Sequence, residues 1–407
     1  MVKRNLAVFL VMVAILGLTG CKPVADAGGD KNILIDLEVT LDGSRSFDFL
    51  GQDLTYLWDF GDGSPQATGK VVTHKYDNLG EYEVTLTVTN ENEETDNDKA
   101  TIEVIDWEEL ATPIDADGHT IEAPLVEFLP DGTMVVVEGN DDVDIEVAVE
   151  TSPGSRVFEY VTSIPGQAGT YNYGSFVEVI DADEILVGTS DKIHEVYLDT
   201  GDVELVAEVS NYDAILSGDT LYFTWAVFNP DWTADGFMSS LDITDPDNTL
   251  TDLVTDIPGA SAGICLDEDG NIYTGNGYSN YNIPNETGLI KSFALEALPL
   301  TWDDGNAVGD VLSAGSLIWA EDGVMLVGGG DIFGTSGDNN YFAALDTTTQ
   351  DKLWELDPDP GDESSYKLSA NKDSDTFAAS IWNYPPWGSP NPGDGTIYLL
   401  PFSALGL

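Results

Sequence analysis

The stretch ASAGICLDEDGNIYTGNG, residues 260–277, carries the pattern that decides the fold of most of this chain. An apolar run, Ala260 to Leu266, is followed by an acidic turn, Asp267 to Gly270, and then by a second run, Asn271 to Thr274. Clusters of Asp and Gly between apolar runs of this length mark tight reversals of the backbone. The stretch therefore predicts two antiparallel strands joined by a turn.

The same unit recurs along the second part of the chain at intervals of about 35 to 55 residues. Six turns mark it: Leu129–Gly132, Asp181–Glu184, Leu216–Asp219, Asp267–Gly270, Glu321–Gly323 and Lys372–Asp375. Repeats of this length built from short strands are typical of the four-stranded blades of a β-propeller. We predict a propeller over residues 107–407, with six blades favoured and seven as the rival number.

Two of the repeats carry a Leu-Asp-Thr sequence, at Leu198–Thr200 and Leu345–Thr347, which resembles quinoprotein-like and YVTN-like propeller repeats. The last repeat ends with the strand-like run Thr396–Leu400 and lacks a fourth strand, whereas Trp107–Ile114 precedes the first repeat and looks strand-like. We predict that this first segment pairs with the last blade, because closing the ring removes exposed strand edges.

Residues 23–106 show a different, less regular series of strand-like runs. They are Ile33–Leu41, Leu54–Trp58, Val71–His74, Tyr82–Val88 and Ala100–Ile105. Apolar and polar residues alternate from Glu81 to Val88, as in a strand with one buried face. Several short strands within this length predict a small β-sandwich.

Four blocks in this segment resemble the PKD domain, an immunoglobulin-like module: Pro23–Gly28, Val39–Ser44, Tyr56–Gly63, and His74–Tyr76 with Gly80–Val88. The resemblance implies an all-β spacer or adhesion module of the cell exterior, with Trp58 in its core. Some relatives bind calcium in the loop that corresponds here to residues 48–53. Asp48 and Asp53 are therefore candidate calcium ligands, although this loop departs from the commoner family pattern.

The N-terminus has the features of an export signal. Lys3 and Arg4 precede an apolar run, Leu6–Leu18, which is too short to span a membrane comfortably. Leu18-Thr19-Gly20-Cys21 resembles the lipobox of bacterial lipoproteins, which implies a signal peptide over residues 1–20 and acylation of Cys21. Several acyl chains would give stable anchoring to a membrane. We therefore expect a lipid-anchored protein outside the cytoplasm, at the outer membrane or cell surface.

The charge balance is extreme, with 74 Asp and Glu against 14 Lys and Arg and a formal net charge of -60. Such a surface repels nucleic acid, and we exclude nucleic-acid partners on this ground. The acid excess suits solubility in a saline habitat or a calcium-rich exterior. With Cys21 acylated, Cys265 has no partner for a disulfide, and we expect it to be buried as a small apolar residue.

Calcium is the one cofactor for which the sequence offers candidates. Asp115 and Asp117 alternate in an acidic loop that ends in a glycine. Glu122, Asn211 and Asp213 lie near the inner-strand ends at which lactonase-type propellers hold calcium. The three histidines are dispersed, and no nucleophile elbow or phosphate loop is present, so we assign no catalytic residue.

Aromatic residues beside Asn and Asp supply candidate ligand-binding positions. They are Trp225, Trp232, Tyr278, Tyr281, Trp382, Tyr384 and Trp387. Flat rings stack on sugars and anchor protein partners, while amides fix orientation. The alternative is that these rings pack the loops onto the propeller.

These features favour a non-enzymatic binding or adhesion module for a glycan or an envelope protein. One alternative is a calcium-dependent propeller enzyme of the lactonase or lyase type. The other is a scaffold for envelope assembly.

Overall fold

The computed structural model describes residues 22–110, 124–141, 144–166, 171–172, 174–189, 191–230, 234–245, 247, 249–259, 263–276, 289–310, 314–329, 341–356, 367–382 and 395–407. Their regular structure is β-strand apart from three short 3-10 helices, at Leu295–Ala297, Trp302–Asp304 and Phe402–Leu405. The predicted all-β class is thus confirmed. The chain divides into two compact units, one of residues up to Asp106 with Ser403–Leu407, the other of Trp107–Phe402.

The first unit contains seven strands among its described residues. They are β1 (Lys31–Leu34), β2 (Val39–Asp42), β3 (Thr55–Asp59), β4 (Ala67–Thr68), β5 (Val71–His74), β6 (Gly80–Thr89) and β7 (Thr95–Ile105). They form one sheet in the order β1-β7-β6-β3-β4 and a second of β2 and β5. The predicted run Ile33–Leu41 is two strands, because a turn follows Leu34.

The core of this unit follows the strand period. Val84, Leu86 and Val88, at alternate positions of β6, are fully buried. Trp58 is also fully buried, as predicted, and its indole N–H donates to the carbonyl of Gly69 at 3.0 Å. Residues 403–407 belong to this unit, whereas the boundaries predicted from the sequence assign them to the second domain.

The second unit begins with a short strand, β8 (Glu108–Leu110), and continues through six sheets, here called ring sheets 1 to 6. Ring sheet 1 contains β9 (Leu125–Phe128), β10 (Met134–Glu138), β12 (Ile145–Glu150) and β13 (Phe158–Ile164), and a small pair joins β11 (Asn140–Asp141) to β14 (Tyr171–Asn172). Ring sheet 2 contains β15 (Gly174–Val179), β16 (Glu184–Thr189), β17 (Ile193–Tyr197) and β18 (Val203–Ala207). Ring sheet 3 contains β19 (Asp213–Ser217), β20 (Thr220–Phe228), β21 (Ala234–Asp242) and β22 (Leu250–Pro258), to which β26 (Leu300–Thr301) adds in parallel.

The remaining three sheets repeat this order. Ring sheet 4 contains β23 (Ile264–Leu266), β24 (Asn271–Gly275), β25 (Leu289–Ala294) and β27 (Asn306–Asp310). Ring sheet 5 contains β28 (Ser316–Glu321), β29 (Val324–Gly329), β30 (Tyr341–Asp346) and β31 (Lys352–Leu356). Ring sheet 6 contains β32 (Lys367–Asn371), β33 (Thr376–Trp382), β34 (Gly395–Leu400) and β8. Each of the six acidic turns read from the sequence joins the first and second strands of one sheet.

The first strands of the six sheets contact one another in cyclic order. The sequence of contacts runs β9, β15, β19, β23, β28, β32 and back to β9. The unit is therefore a closed ring of sheets, which is the propeller architecture. Apolar side chains fill the space between neighbouring sheets; Val135 and Val137 of ring sheet 1 pack with Ile185 and Val187 of ring sheet 2, for example.

The closing strand comes from the beginning of the unit. β8 pairs antiparallel with β34, with Leu110 opposite Ile397 and Glu108 opposite Leu399. Arg156, from the turn between β12 and β13, donates two hydrogen bonds to the Glu108 carboxylate, at 2.9 and 2.8 Å. The predicted ring closure is confirmed for Glu108–Leu110, and residues 111–114 lie outside the described residues.

Candidate functional site in the ring channel

A cavity of about 320 Å³ lies among the first strands of the six ring sheets. Its described lining carries four side chains that can be charged at neutral pH: Glu127 on β9, Glu178 on β15, Asp213 on β19 and Lys367 on β32. Side chains alternate between the two sides of a strand. Val126 and Phe128 pack into one apolar core and Leu125 and Leu129 into another, and Glu127, on the same side as Leu125 and Leu129, lines the cavity.

Glu127 is held by two donors on the same carboxylate oxygen. The backbone N–H of Phe128 and the hydroxyl of Ser369 both donate to Oε1, each at 3.0 Å. Burial raises the pKa of Glu127 to about 7, because these two hydrogen bonds offset only part of the desolvation cost and the charge of Asp213 adds to it. A substantial fraction of this carboxyl is therefore protonated at neutral pH.

Glu178 has a single hydrogen bond from the wall of the cavity. The backbone N–H of Leu216 donates to its Oε2 at 2.8 Å. Burial, together with the negative charge of Glu127, raises the pKa of Glu178 well above its usual value. Glu127 and Glu178 come from neighbouring sheets and repel each other when both are ionised.

Asp213 and Lys367 form an ion pair across the channel. Lys367 Nζ lies 3.4 Å from Asp213 Oδ1 and donates to the carbonyl of Tyr212 at 3.2 Å. Burial raises the pKa of Asp213 to about 6 even though Lys367 favours the charged form. Ring sheets 3 and 6 stand opposite each other in the cyclic order of six, so this pair spans the channel. Both residues begin their strands, which places the pair toward one end of the channel.

Carboxyl groups outnumber basic groups in the cavity. From Trp107 onward the sequence contains six basic residues, Arg156, Lys192, Lys291, Lys352, Lys367 and Lys372. Of these, Lys367 is the one found among the described residues that line the cavity. Arg156 binds Glu108, Lys291 donates to the carbonyl of Trp302, and Lys352 binds Glu355. Three carboxyl groups thus line the cavity with one ammonium group, and that ammonium group pairs with Asp213.

Of the residues predicted to hold calcium in the channel, the structure places only some at the cavity. Asp213 lines the cavity, but Asn211 is buried in the wall, where its amide donates to the carbonyls of Lys192 and Val209 at 3.1 and 2.9 Å. Glu122, Asp115 and Asp117 lie outside the described residues. Within the part of the chain that is described, no group of three or more His, Cys, Asp or Glu is arranged to hold a metal ion.

The candidate calcium loop of the first unit is held by its own hydrogen bonds. Asp48 is buried and accepts from the side chain of Asn90 at 3.0 Å and from the N–H of Leu50 at 2.7 Å. The bond from Asn90 holds the pKa of Asp48 below its ordinary value. Asp53 is exposed. The carboxylate of Asp48 therefore fixes this turn, and calcium binding here stays a prediction.

Trp225 lies within strand β20 and not in a loop between strands. β20 and β21 pair without a break from Thr220 and Asp242 to Phe228 and Ala234, because the strand pattern runs through the aromatic residues. The Trp225 ring stacks on Phe237 with centroids 4.5 Å apart, and its N–H donates to Ser239 at 2.8 Å. Trp225 thus contributes to packing.

The remaining aromatic candidates lie outside the described side chains. They are Trp232, Tyr278, Tyr281, Trp382, Tyr384 and Trp387, and the backbone of Trp382 ends strand β33. The segments that contain them, 231–233, 277–288 and 383–394, each join the second and third strands of a ring sheet. Equivalent strand ends lie on one face of a propeller. We call the ends of β20, β24 and β33 the loop face.

The described part of the loop face exposes apolar surface. Val227 and Phe228, at the end of β20, are 45% and 49% exposed. In each ring sheet the first strand runs antiparallel to the second, so it begins at the face where the second strand ends. Asp213 and Lys367 therefore lie toward the channel mouth on this same face.

Sequence reasoning missed Glu127, Glu178 and Lys367. Glu127 and Glu178 each interrupt an apolar run, Leu125–Phe128 and Phe176–Val179. A lone carboxyl inside a strand that is otherwise buried is rarely found without a special environment. These two interruptions are the feature of the sequence that points to Glu127 and Glu178.

Cys21 lies outside the described residues, and the described residues include no helix with the length and apolar character needed to cross a membrane.

Comparison with known proteins identifies the first unit. Residues 21–105 match the PKD domain family, so this segment is a PKD domain, as the sequence blocks predict. The chain is 39% identical over 85 residues to collagenase ColA of Clostridium perfringens (strain 13 / Type A). That alignment covers 21% of this chain and 8% of the collagenase, so the chain spans less than a tenth of its relative.

Two solved structures resemble parts of the chain. The PKD1 domain of Vibrio anguillarum Epp is 29% identical, with 21% of this chain and 95% of that chain covered and a TM-score of 0.19. A quinonprotein alcohol dehydrogenase-like protein of Bacteroides thetaiotaomicron is 12% identical, with 85% of this chain and 98% of that chain covered and a TM-score of 0.38. Likeness of this degree does not determine activity or ligand.

Proposed function

We propose that this protein is a lipid-anchored binding protein of the cell exterior, which holds a glycan on the loop face of its propeller. The PKD domain at residues 21–105 supports the exterior location, because the resemblance implies a spacer or adhesion module. It begins directly at the lipobox-like sequence Leu18–Cys21. In the order of the chain, this domain lies between the proposed anchor and the ring.

The observation that carries the binding proposal is the exposed apolar end of β20. Val227 and Phe228 lie on the face from which the aromatic-rich segments 277–288 and 383–394 depart. Exposed rings beside Asn and Asp provide the stacking surfaces and hydrogen-bonding groups that sugars need. Phe228, 49% exposed at the end of β20, offers a position on which a sugar ring can stack.

Lipid anchoring is tested by the variant Cys21→Ser. Cells that express the wild-type chain should incorporate labelled fatty acid into it and retain it in the membrane fraction. The variant should lose the label and leave that fraction, because the acylated sulfur is absent. Equal labelling and retention of both chains would overturn the anchor.

Glycan binding is tested with the purified Cys21→Ser chain on a glycan panel, first with calcium and then with a chelator. Binding of a defined class of glycans in either condition supports the proposal, and dependence on calcium would add a metal to the site. Failure to bind in both conditions overturns the glycan proposal. Pull-down from the native envelope would then test a protein partner.

A propeller enzyme is the second candidate, favoured by the raised pKa values of Glu127 and Asp213 in one cavity. Carboxyls with shifted pKa values in a cleft are typical of acid–base pairs. Turnover of lactones or acidic polysaccharides by the wild type, lost in Glu127→Gln, would establish the enzyme. Absence of turnover in the wild type on both substrate classes would reject it.

A further inference from the structure

We propose that the ring cavity binds the ammonium group of a small organic amine, held between the carboxylates of Glu127 and Glu178. This site is separate from the glycan surface of the proposed function, since it lies inside the channel and uses none of the loop residues. The two proposals can therefore fail independently.

The first support is the orientation of the two carboxylates. Wall donors occupy Oε1 of Glu127 and Oε2 of Glu178. The other oxygen of each group has no hydrogen-bond partner among the described residues. Glu127 and Glu178 both line the cavity and are partly exposed. Two acceptors with fixed orientation are thus open to a donor inside the channel.

The second support is that the protein already places one ammonium group in this cavity. Lys367 Nζ lies beside Asp213 and shows that the walls accommodate a charged amine. Its charge is matched by Asp213 alone, which leaves Glu127 and Glu178 without a cation. Buried carboxylates that lack a counter-charge take up either a proton or a cationic partner.

The other groups that face the cavity do not supply this charge. Cys265 of β23 packs in an apolar core beside the cavity, where burial raises the pKa of its thiol well above its usual value. β28 contributes Ser316 and the indole of Trp319, which are uncharged. Since the described residues offer no metal-binding set of three ligands, an ammonium donor fits the geometry better than a metal ion. The cavity of about 320 Å³ has room for an amine of a few carbon atoms together with water.

Proton release is the signature that this site predicts. Burial and mutual repulsion favour the protonated form of both carboxyls in the free cavity, so a bound cation displaces protons from them. We would titrate the purified full-length Cys21→Ser chain with 1,4-diaminobutane by calorimetry at pH 6, 7 and 8. Two buffers of different ionisation enthalpy would be used at each pH. We expect protons to be released and the affinity to rise at least about tenfold from pH 6 to pH 8.

Matched variants locate the site. Glu178→Gln should weaken binding about tenfold or more, because it replaces the open acceptor and its charge. Glu204→Gln, on the exposed edge strand of the same ring sheet, removes the same charge and should leave the affinity unchanged. Lys367→Met should bind the diamine more tightly, since the ligand can then also pair with Asp213. Circular dichroism would confirm that each variant is folded.

Several results would overturn the proposal. They are the absence of binding heat at pH 8, equal weakening by Glu178→Gln and Glu204→Gln, and equal binding of uncharged 1,4-butanediol. Calcium chloride that binds in place of the diamine, with the same loss in Glu178→Gln, would show a metal site instead. The glycan panel decides the proposed function separately in every case.

Discussion

Glu127 links the chemistry of the cavity to the stability of the ring. Its pKa is raised from 4.5 to about 7 in the folded protein, so the fold favours the protonated carboxyl. The resulting stabilisation is present below pH 4.5 and is lost as the pH rises through 7. Glu178 and Asp213 act in the same direction, because their pKa values are raised as well.

The variant Glu127→Gln should remove the share of this pH dependence that belongs to Glu127. Urea unfolding at pH 4.5, 6 and 7.5 would measure it. Relative to the wild type, we expect the variant to gain up to about 3 kcal/mol in free energy of unfolding between the lowest and highest pH. Glu204→Gln is the control, and its free energy of unfolding should change with pH as that of the wild type does. The same pH dependence in Glu127→Gln and in the wild type would contradict the cavity environment described here.

The sequence predicts the environment of some residues but not of others. The PKD resemblance predicts that Trp58 is buried, the apolar stretch around Cys265 predicts the same for Cys265, and both predictions are confirmed. Glu127 and Glu178 stand 51 positions apart and meet only because the ring brings β9 beside β15. Their repulsion is a product of the closed ring, which local sequence patterns do not contain.

At the scale of elements, the closing strand β8 joins the beginning of the ring to its last sheet. Leu110 is 4% exposed and packs in the core shared by ring sheets 1 and 6. Leu110→Ala should lower the free energy of unfolding of the ring by about 2–4 kcal/mol, because it leaves a cavity there. Glu109→Ala, at the neighbouring exposed position, should change it by less than about 0.5 kcal/mol. Similar effects of the two variants in urea unfolding would contradict a closing role for β8.

Turns were easier to predict than the lengths of strands. Each of the six acidic turns is encoded by four or so adjacent residues, so the sequence locates it directly. The extent of β20 and β21 depends instead on pairing between them over nine residues each. A strand with several aromatic residues and an insertion that carries them look alike until the partner strand is known.

For the whole molecule, the net charge of -60 should make stability depend on salt. Mutual repulsion of carboxylates destabilises the compact state, and added ions screen it. We expect the unfolding temperature to rise by several degrees, about 5 °C or more, between 0.05 and 1 M NaCl. Differential scanning calorimetry would measure it, with KCl as a control that should act equally.

Calcium can be distinguished from screening in the same experiment. In 1 M NaCl, repulsion is already screened, so about 1 mM CaCl₂ should raise the unfolding temperature further only if a specific site exists. An unfolding temperature that is insensitive to NaCl would contradict the electrostatic interpretation of the acid excess.

The most direct test of the proposed function compares two exposed apolar positions of the propeller. Phe228 lies on the loop face, and Leu205, 53% exposed, lies on the edge strand β18. Binding of the glycan class found on the panel would be measured for Phe228→Ser and Leu205→Ser. We predict that Phe228→Ser weakens binding about tenfold or more while Leu205→Ser binds like the wild type. Unchanged binding by Phe228→Ser, or equal loss in both variants, would contradict a glycan surface on the loop face.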